Sequence, residues 1–293
     1  MISKKFILNA DDFGLSKYHN QAVLEGYNNG FLTSASLCAN GEAFDSAVHN
    51  ILPDCPNLGI AAHLNIMEGK SLTDCPLLTN DEGSFNIGYG YLILNQKKWE
   101  LLEQIEQEFR AQIEKIKEND VEIDHLDSHV HTHAIPEIFK ITCKLAKEYN
   151  IKYVRTQYEE LYFIPKLLKH LNFSYPMNLV KIALLQYFTL KNRKTLNEYG
   201  LKSNDFIIGV GYTGMMDSDA IKYGLKAIEE ESIVEALIHP CKYDDATKNS
   251  HTKEFSITQN KTLEDTINRL GFELTNYKKL GSVSYTHLTL PTT

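Results

Sequence analysis

Between His125 and His133 the chain reads HLDSHVHTH, which places four of its 11 histidines within nine residues, with Asp127 among them. Imidazole and carboxylate together bind divalent cations or move protons near neutral pH. A structural zinc site would close four ligands around its ion and usually include cysteine, and no cysteine is near this run in the sequence. Two imidazoles and one carboxylate leave positions for water and substrate, as a catalytic site requires. Such donors suit zinc, manganese, iron(II) or cobalt, while oxygen-rich sites suit magnesium, so the donor types leave the metal open. Pro136 is placed to start a helix. The run therefore turns, and only one or two of the four histidines can reach a common ion.

Other chemistry-bearing residues are weaker alone. Asp11 and Asp12 are adjacent carboxylates, one able to bind a metal while the other accepts a proton. They also sit in NADDFG, whose residue types favour a turn. His63 in AAHLN has apolar neighbours, where a single histidine is ordinarily a hydrogen-bonded core residue. Arg155 and His239 follow apolar runs in the same way.

What raises all of them is the element each one ends. The runs KFILNA, LTSASLC, LGIAAHL, VEIDHLD, IKYVRT, FIIGVG and SIVEALIH read as strands. Helical spacing appears from Asn20 to Asn28, from Trp99 to Lys117 (Leu102, Ile105, Phe109, Ile113 and Ile116 on one face), from Pro136, from Asp219 to Glu230 and from Thr262 to Leu270. Strand–helix alternation implies an α/β fold with mainly parallel strands, and this many units predicts a distorted (β/α) barrel. In such a barrel every strand's carboxyl end opens on one face. Asp11, Asp12, His63, Asp127, His129, His131, His133, Arg155 and His239 should therefore converge.

One domain is expected over 1–281. The stretch 158–204, rich in Leu, Tyr, Phe and Lys, breaks the alternation and reads as a helical insertion. Its segment KIALLQYFTLK reads as amphipathic, suited to covering the barrel mouth or making a dimer contact. Residues 282–293 (SVSYTHLTLPTT begins at Ser282) depart from the preceding pattern and read as a non-native disordered tail, so His287 is given no role.

The chain carries 30 basic against 38 acidic residues, a net charge of −8, which argues against nucleic acid as the main partner. No stretch is apolar enough to predict a membrane span or a signal peptide. The five cysteines are scattered and odd in number, which predicts reduced thiols and a cytoplasmic location. Residues 209–214, GVGYTG, match G-x-G-x-x-G. The first glycine falls inside the expected strand, and the next strand ends in His239 where a dinucleotide site wants an acid. The segment is read as a strand-end loop near the site mouth.

The motifs NADDFGLS (9–16), LTS (32–34), AHLN (62–65), HLDSHVHTH (125–133) and IHP (238–240) occur in the order found in the YdjC-like carbohydrate deacetylases. The chain resembles that family from Lys5 to Leu280. That family includes the chitooligosaccharide deacetylases and is related to the NodB-type polysaccharide deacetylases. The resemblance implies a distorted (β/α) barrel and metal-dependent removal of acetyl groups from N-acetylated oligosaccharides. It also implies a divalent ion, magnesium or zinc, on Asp12, His63 and His129. Asp11 matches the catalytic base and His239 the acid. Arg155 would orient Asp11 or the substrate, and His125, Asp127, His131 and His133 would bind substrate or support the ligands. A homodimer is expected. Two rivals stand beside this reading. A phosphoesterase would want a second metal and more basic residues. A metal-holding sugar-binding protein would show no turnover.

Overall fold

The computed structural model describes residues 4–165, 175–243 and 249–282. Residues 283–293 of the expected tail and 166–174 of the expected insertion lie outside them. Eight strands form one parallel sheet: β1 (Lys5–Phe13), β2 (Ser34–Leu37), β3 (Gly59–Leu64), β4 (His125–Ser128), β5 (Tyr153–Val154), β6 (Phe206–Ile208), β7 (Ile233–Ile238) and β8 (Glu273–Leu274). Their order is β5-β4-β3-β2-β1-β7-β6, with β8 pairing β1. β8 lies beside Lys5 and Phe6, while β2 joins β1 only from Asn9, so the extra strand fills an edge that β2 is too short to cover. The α-helices among the described residues are α1 (Lys17–Asn28), α2 (Phe44–Ser46), α3 (Tyr89–Asn95), α4 (Trp99–Glu118), α5 (Pro136–Glu148), α6 (Tyr175–Glu198), α7 (Ser218–Lys226), α8 (Ser250–Thr258), α9 (Lys261–Arg269) and α10 (Tyr277–Ser282).

The sheet curls into an incompletely closed barrel. Between β5 and β6 there is no ladder, but one bridge joins Tyr153 to Lys202. The Ile207 N–H also donates to the Tyr158 carbonyl at 2.8 Å. Asn204 completes the seam by accepting from the Thr156 N–H at 2.8 Å and donating to its carbonyl at 2.9 Å. A side chain thus replaces the missing backbone pairing.

Alternation along the strands separates two cores. Phe6, Leu8, Ala10, Ala62, Leu64 and Leu126 join the large apolar layer under the helices. The intervening positions face the barrel axis. At one end Ile7, Tyr153 and Tyr277 form a small apolar plug. Above it the axis carries Asn9, Ser36, Asp127, Arg155 and Glu235, all buried. Barrels of this general type normally fill that space with branched aliphatic residues. This one stabilises its axis by ion pairs and hydrogen bonds, a first sign that the interior serves chemistry.

Several helices follow local signals. On α4, Leu101, Ile105, Phe109, Ile113 and Ile116 are buried; Leu101 rather than the expected Leu102 takes the innermost place. Pro136 opens α5. α7 begins at the Asp217 cap, whose carboxylate accepts the Ala220 N–H, and it ends at Lys226, short of the expected Glu230. α6 is the long helix within 158–204. It is fixed by Asn192 donating to the Ala134 carbonyl at 2.8 Å and by Asn178 donating to the Gly211 and Thr213 carbonyls. Its amphipathic reading needs correction. Within KIALLQYFTLK, Ile182, Leu185 and Phe188 are buried while Tyr187 and Leu190 are exposed, so apolar residues occupy both faces.

Candidate active site

Asp11 and Asp12 end β1 side by side. A regular strand would send them to opposite faces. Here the register with β2 breaks between Ala10 and Phe13, and Asp12 takes a left-handed backbone at φ 68°. That bulge leaves both carboxylates buried within the barrel. Asp12 Oδ1 lies 2.9 Å from His129 Nδ1 and 3.4 Å from His63 Nε2. The two imidazoles meet edge to face with centroids 5.8 Å apart. One carboxylate oxygen therefore stands between the two rings.

The histidine run turns as its proline requires. β4 stops at Ser128, and Val130 and His131 are left-handed. His129 is sent to Asp12, with its Nε2 3.3 Å from Glu68 Oε2. His133 is drawn inward, where Ser128 Oγ, the Arg155 carbonyl and Gln157 surround it. Burial pushes its pKa down to about 4, and burial likewise lowers that of His131. Expected beside the substrate or ligands, His131 and His133 are instead packed into the fold and do not line the cavity described below. His125 needs the same correction: it starts β4, its Nδ1 lies 2.6 Å from Asp124, and its ring packs against Tyr277 with centroids 4.3 Å apart and planes tilted by 39°.

Asp127 occupies the level between these ends. Its Oδ1 lies 2.8 Å from His63 Nδ1, and its Oδ2 accepts from Ser36 at 2.6 Å and forms an ion pair with Arg155 at 2.7 Å. Orienting an imidazole through one nitrogen, so that the other faces a metal, is the usual support for a metal-ligating histidine. Arg155 is wholly buried and serves three carboxylates. It grips Asp11 through both terminal nitrogens (2.8 and 2.9 Å) and reaches Glu235 through Nε at 2.8 Å. Burial alone would raise the Asp11 pKa, but the guanidinium holds it below the usual carboxylate value.

A fourth carboxylate, Asp12, shares this interior with the single guanidinium, so negative charge is in excess. The imidazoles register it. Against the lowering effect of burial, Asp127 and Asp12 bring His63 up to about 10, and Asp12 and Glu68 bring His129 up to about 9. A divalent cation would answer the same excess, and the donor set of one carboxylate and two oriented imidazoles fits one. Cys38, which follows β2, places its sulfur within 4.8 Å of donor atoms of Asp12 and His63. The thiol's absence from the histidine run's neighbourhood holds only along the sequence.

Asp12 and His129 open on a cavity of about 450 Å³ that His19, Glu68, His239, Cys241, Tyr243, His251 and Glu254 also line. His239 follows β7, with its Nδ1 3.5 Å from the buried Glu254 of α8. Burial lowers its pKa, but the Glu254 carboxylate outweighs this and leaves it raised. A separate cavity of about 350 Å³, lined by Tyr158, Arg193, Asp205 and Glu230 among others, contains none of these groups.

The glycine-rich segment follows β6 instead of beginning within it, since the strand ends at Ile208. Its N–H groups do cradle an acidic group, and that group belongs to the chain: Glu159, whose pKa burial pushes up to about 7. Glu159 accepts from Gly209 at 2.9 Å and Gly211 at 2.8 Å. A Cβ on Gly209 would meet the Leu237 carbonyl at 2.8 Å, and one on Gly211 would meet Ile182 at 2.8 Å. Close packing and an internal carboxylate explain the motif without a nucleotide.

Sequence reasoning missed Ser36, Glu68, Glu235, Glu254, His19 and His251. Ser36 and Glu235 were detectable as polar residues at the alternate, axis-facing positions of otherwise apolar strands. Glu68 and His251 carried no such signal, being brought in by a loop and by α8.

Comparison with known proteins places this geometry in context. The family model described as "YdjC-like protein" matches residues 5–269. A carbohydrate deacetylase of Brevibacillus brevis is 40% identical over 148 residues, covering 50% of this chain and 57% of that protein. Another from Clostridium beijerinckii is 35% identical over 161 residues, covering 54% and 63%. The chain thus aligns with less than two thirds of either relative's length. A solved structure from Enterococcus faecalis V583, of a candidate cellobiose-phosphate cleavage protein, has the same fold with TM-score 0.69. It is 21% identical and covers 95% of this chain and 99% of that one. All five cysteines are unpaired. Among the described residues no helix is long and apolar enough to cross a membrane.

Proposed function

Because the chain belongs to the YdjC-like protein family, we propose that it is a metal-dependent hydrolase that removes acetyl groups from N-acetylated sugars, with chitooligosaccharides as the first class to test. One observation carries the reading. Asp12, His63 and His129, from three different strand ends, meet beside a cavity of about 450 Å³ that Asp12 and His129 line. The relatives named carbohydrate deacetylases support the substrate class.

A divalent ion on Asp12, His63 and His129 would polarise the acetyl carbonyl and make a water more acidic. Zinc fits the imidazole donors better than magnesium does. Asp127 and Ser36 fix the ring of His63 for that task. Asp11, kept ionised and aligned by Arg155, takes the proton of the attacking water as the new C–O bond forms. The C–N bond then breaks. His239, whose charged form Glu254 favours, gives its proton to the nitrogen so that a neutral amine departs. Acetate and a free amino sugar are the products.

The test is acetate release from diacetylchitobiose and longer N-acetylated oligomers, before and after chelation, with zinc or magnesium restored. Activity lost with the chelator and regained with metal is the expected outcome. No acetate from any of these substrates while metal is bound would return the protein to a sugar-binding role. Phosphate release from sugar phosphates instead would make it a phosphoesterase.

A further inference from the structure

We propose that His19, Cys241 and His251 form a second metal site, selective for zinc or a similarly soft divalent ion. One nitrogen of each histidine and the cysteine sulfur lie within 4.8 Å of one another. The residues come from α1, from the segment after β7 and from α8, so only the folded chain assembles them. All three line the cavity that also receives Asp12, His129 and His239.

The hydrogen bonds around the cluster leave its donor atoms available. His251 Nδ1 lies 2.8 Å from the His239 carbonyl, which can only accept, so the proton is on Nδ1 and the Nε2 lone pair is free. His19 Nδ1 lies 2.9 Å from Ser16 Oγ. Its Nε2 is shut off from solvent and has no partner among the described residues. Burial keeps that ring neutral by pushing its pKa down to about 4. A buried, unpartnered ring nitrogen costs stability unless something occupies it.

The sulfur sets the selectivity. Two imidazoles and a thiolate suit zinc and reject magnesium and calcium. Burial pushes the Cys241 thiol up to about 12, while the Tyr243 hydroxyl bonded to the sulfur acts in the opposite direction. Binding exchanges the S–H bond for a metal–sulfur bond, and the proton leaves to solvent. Three protein donors leave a fourth position facing the cavity. None of these steps depends on the deacetylase reading, and two bound metals per chain would not by themselves argue for a phosphoesterase.

Cobalt(II) separates the two sites because a thiolate–cobalt bond gives a charge-transfer band in the near ultraviolet. Titrating the metal-free full chain should bind two equivalents, with the band appearing alongside one of them. Cys241→Ser should lose the band and one equivalent. Cys38→Ser, which removes the sulfur beside Asp12 and His63, should keep both. His19→Ala and His251→Ala retain the sulfur, and should lose the band at cobalt concentrations that saturate the wild type. They decide the matter if Cys241→Ser fails to fold. Absence of the band from the wild type would overturn the proposal, as would its survival in Cys241→Ser or in both histidine variants. So would its loss in Cys38→Ser alone.

Discussion

Two buried histidine–aspartate pairs lie in the same barrel and behave as opposites. His63–Asp127 is separated by 2.8 Å and His125–Asp124 by 2.6 Å, and burial, countered by the carboxylates, leaves both imidazoles with raised pKa values. Distance and electrostatics do not distinguish them. Their second nitrogens do. His63 Nε2 faces Asp12, which borders the cavity, whereas His125 Nε2 is buried with no partner among the described residues and its ring packs at a tilt against Tyr277. A carboxylate holding an imidazole becomes a functional unit only where the free nitrogen meets something that can change. At the strands' carboxyl ends it meets a second carboxylate and open space. At their amino ends it meets the apolar plug that closes the barrel.

That contrast predicts opposite losses, and the largest effect falls on the open pair. His63→Gln or Asp12→Asn should abolish acetate release and remove the equivalent of metal held by Asp12, His63 and His129 while the chain stays folded, as metal analysis, activity and circular dichroism would show. Either variant keeping wild-type activity would break the comparison at its centre. The next largest effect separates metal from proton transfer. Asp11→Asn keeps Asp12, His63 and His129, so it should retain metal yet lose about 10² to 10⁴ in kcat. Metal loss in that variant would mean that Asp11 maintains the ligands instead of acting on water.

The sequence made the open end more legible than the closed one, for a physical reason. Strand ends announce themselves: an apolar run stops and a charged residue follows, as at Ile7–Asp12, Ala61–His63 and Val154–Arg155. Parallel topology then brings those residues together without further information. Periodicity also located seven of the eight strands; β8, two residues long, carries too little pattern to show. What a strand's far end touches depends on chain that arrives much later. Tyr277 reaches His125 from α10, 152 positions onward in numbering, and α8 brings Glu254 and His251 to the cavity. His125 and His129 looked equivalent in HLDSHVHTH because one-dimensional spacing does not say that a four-residue strand separates floor from mouth. The left-handed turn at Val130 and His131, which hides the last histidines, includes a β-branched residue of a type that rarely adopts it, so residue type alone does not announce it.

The closed pair should fail in stability instead of chemistry. His125→Gln leaves Asp124 without its imidazole partner and should cost about 1–3 kcal/mol in denaturant unfolding, with kcat of the folded fraction unchanged. The cost should depend on pH. A histidine whose pKa is raised on folding contributes fully below its unfolded value near 6.5 and loses that contribution as pH rises through the folded one. The gap between wild type and variant should therefore narrow on the alkaline side. A gap that widened there would mean that His125 is held neutral.

His239–Glu254 supplies a third pair between these extremes and the smallest predicted effect. Its atoms are 3.5 Å apart, and the histidine side chain is 26% exposed where those of His63 and His125 are at most 1%. It faces the cavity as His63 does, but water reaches it, so its proton can be exchanged during turnover. As general acid it must be protonated, so activity should fall as pH rises through its raised pKa. Asp11, with its lowered pKa, stays ionised across that range and adds no alkaline limb. Glu254→Gln removes the charge that favours the imidazolium while leaving a side chain able to accept the His239 backbone N–H, which Glu254 receives at 2.6 Å. The alkaline limb of kcat should then move to lower pH by about one unit, the scale of a single partly solvated charge. The rate at the acid side of the profile should remain. If the limb stayed in place, the departing amine would draw its proton from another group, and His239 would rank with His125 as a structural partner of its carboxylate.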